Sequence, residues 1–151
     1  MGISLSYSKD KDTAMEICND SFLKFFDSIK KLQDSQSAKA WLRRITINTA
    51  IDYYRKNKKF QNTIEADGTT EAFYEVSGLD SLGFQDVIKL INHLPEDHRL
   101  VFNLYEVEGY SHREIAEKLS ITESSSRVYL SRAKNQLRHL VKLHMKEYEG
   151  R

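Results

Sequence analysis

Two sets of residues in this 151-residue chain have the types and spacing needed to grip a polyanion. Toward the C-terminus, Ser124, Ser125, Arg127, Ser131 and Arg132, with Lys134 at the edge, recur at helical intervals, so most of them share one side of a helix turning about 100° per residue. Guanidinium and ammonium groups neutralise phosphates, and short hydroxyl side chains near a helix N-terminus can approach base edges in a major groove. In the first half, Asn48, Asp52, Tyr53, Arg55 and Lys56 lie in a stretch, Lys39 to Lys59, with seven basic residues and one acid. Cations interleaved with aromatic and amide groups suit a single strand whose bases have left the stack.

The elements that must position the C-terminal set are marked by helix punctuation. Pro95 suits a first helical position, Glu96 and Asp97 put negative charge at the positive end, and Gly109 supplies a stop, which predicts a helix from Pro95 to Glu108. Ser111 and Glu114 form a capping box that opens a short helix with Ile115, Ala116 and Leu119 on its apolar side. Ser120-Ile121 is the turn, and Thr122 caps a third helix whose inward face is expected to carry Leu130, Ala133, Leu137, Leu140 and Val141. Three helices in this order, with a basic outer face on the last, predict a helix-turn-helix. The opposite face of that helix also presents Val128 and Asn135, with Arg138 at its edge.

The first half predicts a further amphipathic helix from Asp12, with Ala14, Ile17, Cys18, Phe22, Phe25, Phe26 and Ile29 as its apolar stripe and core face. Trp41 and Tyr54 are expected in the core, where large aromatic side chains usually go. Between the halves, Gln61 to Asp86 holds six acids and no Lys or Arg, with glycines interspersed, and reads as an acidic spacer. Residues 1–60, 61–88 and 89–151 carry net charges of +5, −6 and +2, which make up the overall +1. The expected fold class is therefore all-α: two small helical domains, 1–60 and 87–147, joined by a flexible acidic linker over 61–86, the second a helix-turn-helix.

The residues Leu94-Pro95, Arg99, Val101-Phe102, Leu104, Glu108-Gly109, Ser111, Glu114-Ile115-Ala116, Leu119, Ile121, Glu123 and Ser131-Arg132-Ala133 closely resemble the promoter-reading domain of bacterial sigma factors. The resemblance is to the small extracytoplasmic-function type within the sigma-70 superfamily. Residues Ala14 to Phe25 resemble the family's polymerase-docking helix, and Trp41-Leu42 with Asn48, Ala50, Asp52-Tyr53 and Arg55 resembles its strand-opening helix. The resemblance implies core RNA polymerase and promoter DNA as partners, together with an anti-sigma factor. It implies that Glu16, Asn19 and Asp20 face the clamp of the polymerase, Asn19 and Asp20 standing where Gln and Glu are usual. Asn48, Asp52, Tyr53, Arg55 and Lys56 are implied at the minus-10 element, with Gln33 to Ala38 as a base-capturing loop. Ser124, Ser125, Arg127, Ser131, Arg132 and Lys134 are implied at the minus-35 element.

This sequence departs from the family at several positions. Ser126 stands at an inward position where Val is usual, Val128-Tyr129 replaces a Ser-Arg pair, and Ser120 replaces a frequent turn glycine. Most family members carry another helix before the position of Asp12, where this sequence has only Met1 to Lys11, so domain 1–60 is expected to lack its first helix.

Enzymatic chemistry finds no support in the residues. His93, His98, His112, His139 and His144 lack the Cys or carboxylate spacing of a zinc site, and no phosphate loop or nucleophile elbow occurs, so neither metal nor cofactor nor catalysis is expected. His98 and His112 read as exposed helix residues. With no signal peptide, no span of ~20 apolar residues and a single cysteine, Cys18, the chain is expected in a reducing cytoplasm without membrane insertion. A stand-alone helix-turn-helix regulator is the alternative reading; it accounts for the second half and leaves the first unexplained.

Overall fold

The computed structural model describes residues 1–31, 37–61 and 83–150. The chain divides into two compact units, Met1–Thr69 and Thr70–Arg151. In the first, α1 (Gly2–Tyr7), α2 (Lys11–Ser28), a 3-10 turn (Ile29–Lys31) and α3 (Ala38–Gln61) pack together. The second contains α4 (Phe84–Asn92), α5 (Glu96–Phe102), a π turn (Asn103–Val107), α6 (His112–Leu119) and α7 (Glu123–Glu149). Among the described residues every regular element is helical.

Helix α2 starts where Asp10 accepts hydrogen bonds from the Thr13 backbone N–H (2.8 Å) and hydroxyl (3.0 Å). Its core line is Ala14, Ile17 and Ser21. Ala14 and Ser21 are small, which lets α3 approach closely with Ile47, Ala50, Ile51 and Tyr54. The expected apolar stripe is only partly buried: Phe22, Phe26 and Ile29 are exposed and Phe25 is half-buried. At ~100° per residue that stripe spans about half the helix circumference, and α3 covers only one edge of it. Tyr54 is in the core as expected, at 4% exposure, whereas Trp41 is not. Trp41 lies at the surface because its indole Nε1–H donates to Ser28 Oγ (3.1 Å) at the end of α2, a partner a deeper ring would lose. Ahead of α2, where the sequence suggested no element, α1 buries Ser4 and Tyr7 against α2 and α3.

In the second unit, Pro95 is the cap preceding α5 rather than its first residue, and Glu96 and Asp97 follow in the first turn. The predicted helix to Glu108 is continuous in direction but changes its hydrogen bonding: Glu108 N–H reaches Asn103 O (3.0 Å), a π step. Gly109, at φ +76°, ends it. The Ser111–Glu114 capping box forms as predicted, with Glu114 Oε2 accepting from Ser111 N–H (2.8 Å) and Ser111 Oγ from Glu114 N–H (3.2 Å). Ser120 takes the left-handed turn conformation at φ 54°, and Thr122 Oγ1 caps α7 by accepting from Ser125 N–H (3.1 Å). The core is Leu100, Val101, Leu104, Ile115, Leu119, Leu130 and Ala133, with Arg99 also buried. Leu137, Leu140 and Val141 are half-buried, so the inward face thins along the second half of α7. Helix α4 begins at Phe84, inside the span read as spacer, with buried Asp86 accepting from Gly83 N–H (3.0 Å). Most of the expected linker, 62–82, and most of the expected base-capturing loop, 33–36, lie outside the described residues.

Candidate nucleic-acid interface

Helix α7 presents the C-terminal set much as its period requires. Ser124, Arg127, Val128, Ser131, Arg132, Asn135 and Arg138 are all exposed along one side, while Ser126, Leu130 and Ala133 are buried on the other. Two of the sequence-predicted residues have other tasks. Ser125 is part of the cap, its hydroxyl accepting from Thr122 Oγ1 (2.9 Å). Lys134 pairs with Glu106 on the π turn and its ammonium lies 6.0 Å from the Tyr105 ring centre, so it points toward that turn and off the outer face. Arg127 is exposed but holds Glu123 at 3.1 Å, an intrahelical pair that water and salt weaken and a phosphate can displace.

On α3 the exposed stripe includes Arg44, Asn48, Asp52, Arg55, Lys56 and Lys59. Asp52 is 3.8 Å from Lys24 of α2, whose ammonium also donates to Thr49 Oγ1 (3.1 Å). Tyr53 is half-buried, and its hydroxyl donates to Asp20 Oδ2 (2.8 Å). The structure thus joins a residue expected at DNA to one expected at polymerase. Burial first, then the Asp20 hydrogen bond and the charges of Asp20 and Glu16, push the Tyr53 phenol up to about 12, so it remains a donor. Glu16 and Asn19 are exposed and Asp20 half-buried on the same helix.

Sequence reasoning missed two features. One is an apolar ridge on the first unit, where Phe22 and Phe26 stack at 6.4 Å, Phe25 meets Phe26 at 5.9 Å, and Leu23 is 65% exposed. The signal was available in the excessive width of the α2 apolar stripe, too broad for one neighbouring helix to cover. The other is the role of two histidines, which are half-buried rather than exposed. His98 packs on the Tyr129 ring (5.2 Å), and His112 stacks on Tyr105 (4.6 Å) and hydrogen-bonds Ser126 Oγ (2.9 Å). Burial lowers both imidazoles below their ordinary value, reinforced by Arg132 at His98 and by Arg127 and Lys134 at His112, with Asp97 and Glu123 acting in opposition. Sequence periodicity could not have revealed these pairs, since each joins different helices.

Among the described residues there is no group of three His, Cys, Asp or Glu able to hold a metal ion, and no helix is long and apolar enough to cross a membrane. The exposed residues of α3 and α7 form electrostatic and hydrogen-bonding surfaces.

Both units match known protein families. Residues 1–60 match the family model for sigma-70 region 2, and residues 84–137 match that for sigma-70 region 4. The chain is 28% identical over 131 residues to the RNA polymerase sigma factor SigV of Bacillus subtilis, covering 87% of this chain and 77% of the relative. It is 29% identical over 141 residues to the ECF RNA polymerase sigma factor SigM of the same organism, covering 90% and 84%. A solved sigma factor, RpoE from Bartonella quintana in complex with the anti-sigma factor NepR, superposes with a TM-score of 0.55 at 26% identity, covering 93% of this chain and 88% of that one.

Proposed function

The chain belongs to the sigma-70 family as a sigma factor of the extracytoplasmic-function type, and from that premise we infer that it binds core RNA polymerase, directs it to specific promoters and supports initiation. The observation that carries this is the paired match, region 2 over 1–60 and region 4 over 84–137, on one chain. A stand-alone regulator accounts for the second match alone. Polymerase supplies the phosphodiester chemistry, so this chain acts by binding, and it works in the cytoplasm where polymerase transcribes. An anti-sigma factor is the expected antagonist, as in the Bartonella quintana complex.

The division of labour follows from the two surfaces. In the second unit, Ser124, Arg127, Ser131 and Arg132 enter the major groove at the minus-35 element, Arg127 exchanging Glu123 for a phosphate or guanine edge. Ser125 acts from the cap, and Lys134 acts through Glu106 and Tyr105 rather than by reaching DNA. In the first unit, Asn48, Asp52, Arg55 and Lys56 line the minus-10 strand, and Tyr53 joins them once Asp20 finds another partner. Glu16, Asn19 and Asp20 dock polymerase, and the exposed Phe22–Leu23–Phe26 ridge beside them adds apolar area to that contact.

The test is transcription by sigma-free core polymerase supplemented with the purified chain on genomic promoter fragments. Discrete start sites sharing an upstream motif are expected. If the chain neither binds core polymerase nor yields specific transcripts, and instead binds an operator alone, the stand-alone regulator replaces this reading.

A further inference from the structure

We propose that His112 and Ser126 form a positioning pair that sets the rotation of the α7 reading face on α6, making them determinants of upstream-element specificity. The inference rests on the sigma-factor reading and deepens it. Ser126 is fully buried, and its hydroxyl shares a 2.9 Å hydrogen bond with Nδ1 of His112, the first residue of α6. The same imidazole lies against Tyr105 of the π turn with ring centres 4.6 Å apart and planes 23° apart, so its orientation is held from a third element. Tyr105 in turn lies under the Lys134 ammonium, which pairs with Glu106. Helix α7 is therefore tied to the preceding elements at Ser126 and again at Lys134, on either side of its reading residues Arg127, Ser131 and Arg132.

Position matters here because Ser126 sits in the same helical turn as Ser124 and Arg127. A 10° rotation of a helix moves a group roughly 6 Å from its axis by about 1 Å, enough to spoil a bidentate base contact. Valine, usual at this position in the family, packs against α6 without direction, whereas a hydroxyl bonded to an oriented ring accepts one geometry. A buried polar atom that loses its partner is costly, so each member of the pair enforces the other. The imidazole is held by Ser126 and Tyr105 within the field of Arg127, Lys134 and Glu123, and the two cations favour its neutral form.

The test uses the full chain assembled with core polymerase and a pool of promoter duplexes randomised across the upstream element, read as enrichment of each sequence well below the melting temperature. Ser126→Thr and Ser126→Val give β-branched side chains of closely similar shape, of which only the first keeps the hydroxyl. Ser126→Val is expected to reduce discrimination against single-base changes by about tenfold, and Ser126→Thr to keep it. His112→Phe preserves the ring on Tyr105 and is expected to match Ser126→Val, with the double variant no worse than either single one. An unchanged spectrum for Ser126→Val, or equal loss in Thr and Val, overturns the pair as a positioning device. A wild-type chain that enriches no upstream element overturns the sigma-factor reading and this inference with it.

Discussion

The two units build their proposed nucleic-acid surfaces in opposite ways. The second is built from capped, punctuated helices, with the Ser111–Glu114 box, the Thr122 cap and Gly109 fixing where each begins or ends, and α7 is tied sideways through imidazole and aromatic rings. The first relies on long helices α2 and α3 bridged by side-chain pairs, Tyr53–Asp20 and Lys24–Asp52, and it leaves a ridge of aromatic side chains in water. A surface that reads base edges needs fixed angles, whereas one that docks a large partner can leave apolar area for that partner to cover. All five histidines lie in the second unit and none in residues 1–69, so the two also differ in which protons they respond to.

Truncating the core of one unit tests whether they are independent. Leu104→Ala is expected to destabilise the second unit by about 2–5 kcal/mol and Ile17→Ala the first by a similar amount, each leaving the other unit's melting transition in place by calorimetry. A single shared transition moving with either variant breaks the comparison. Arg127→Ala is expected to weaken upstream-element recognition by about 1–3 kcal/mol and to reduce the salt dependence of binding, with core polymerase affinity unchanged; footprinting and salt titration check both. Phe26→Ala reverses that pattern: the ring is 61% exposed, so folding stability is expected to hold within about 0.5 kcal/mol while core polymerase affinity falls several-fold in a competition assay.

Ser120→Gly addresses the turn alone. A non-glycine residue at φ 54° carries backbone strain, and the glycine variant is expected to raise the stability of the second unit by about 0.5–1 kcal/mol, read from denaturant midpoints. The smallest expected effect is pH dependence. With folded-state imidazoles below their ordinary value, the unfolded chain binds more protons, so the His98 and His112 contributions are complete above about pH 6.5 and decline as pH falls toward the folded values. The first unit, lacking histidine, responds instead at alkaline pH. Tyr53 ionises more readily unfolded than folded, so its contribution is present below about pH 10 and is lost as pH rises toward about 12. Calorimetry across both ranges should move one transition at a time.

Much of this molecule follows from its sequence alone. The helix-turn-helix was legible because caps are local: Ser111, Glu114, Thr122 and Gly109 act within one turn of their own positions, and the period of α7 places Arg127, Ser131 and Arg132 opposite Leu130 and Ala133 whatever lies beneath. Tertiary structure decided the rest. Periodicity marked a broad apolar arc on α2, but only the packing of α1 and α3 determined that Ala14, Ile17 and Ser21 are covered while Phe22 and Phe26 face water. Likewise Lys134 lies by sequence at the edge of the basic face, and it is Glu106, on another element, that draws it away. The same holds for Trp41 with Ser28, Tyr53 with Asp20 and His112 with Ser126. A side chain's own helix fixes the direction in which it leaves the backbone, and its destination depends on partners distant in the chain, whose positions exist only after folding.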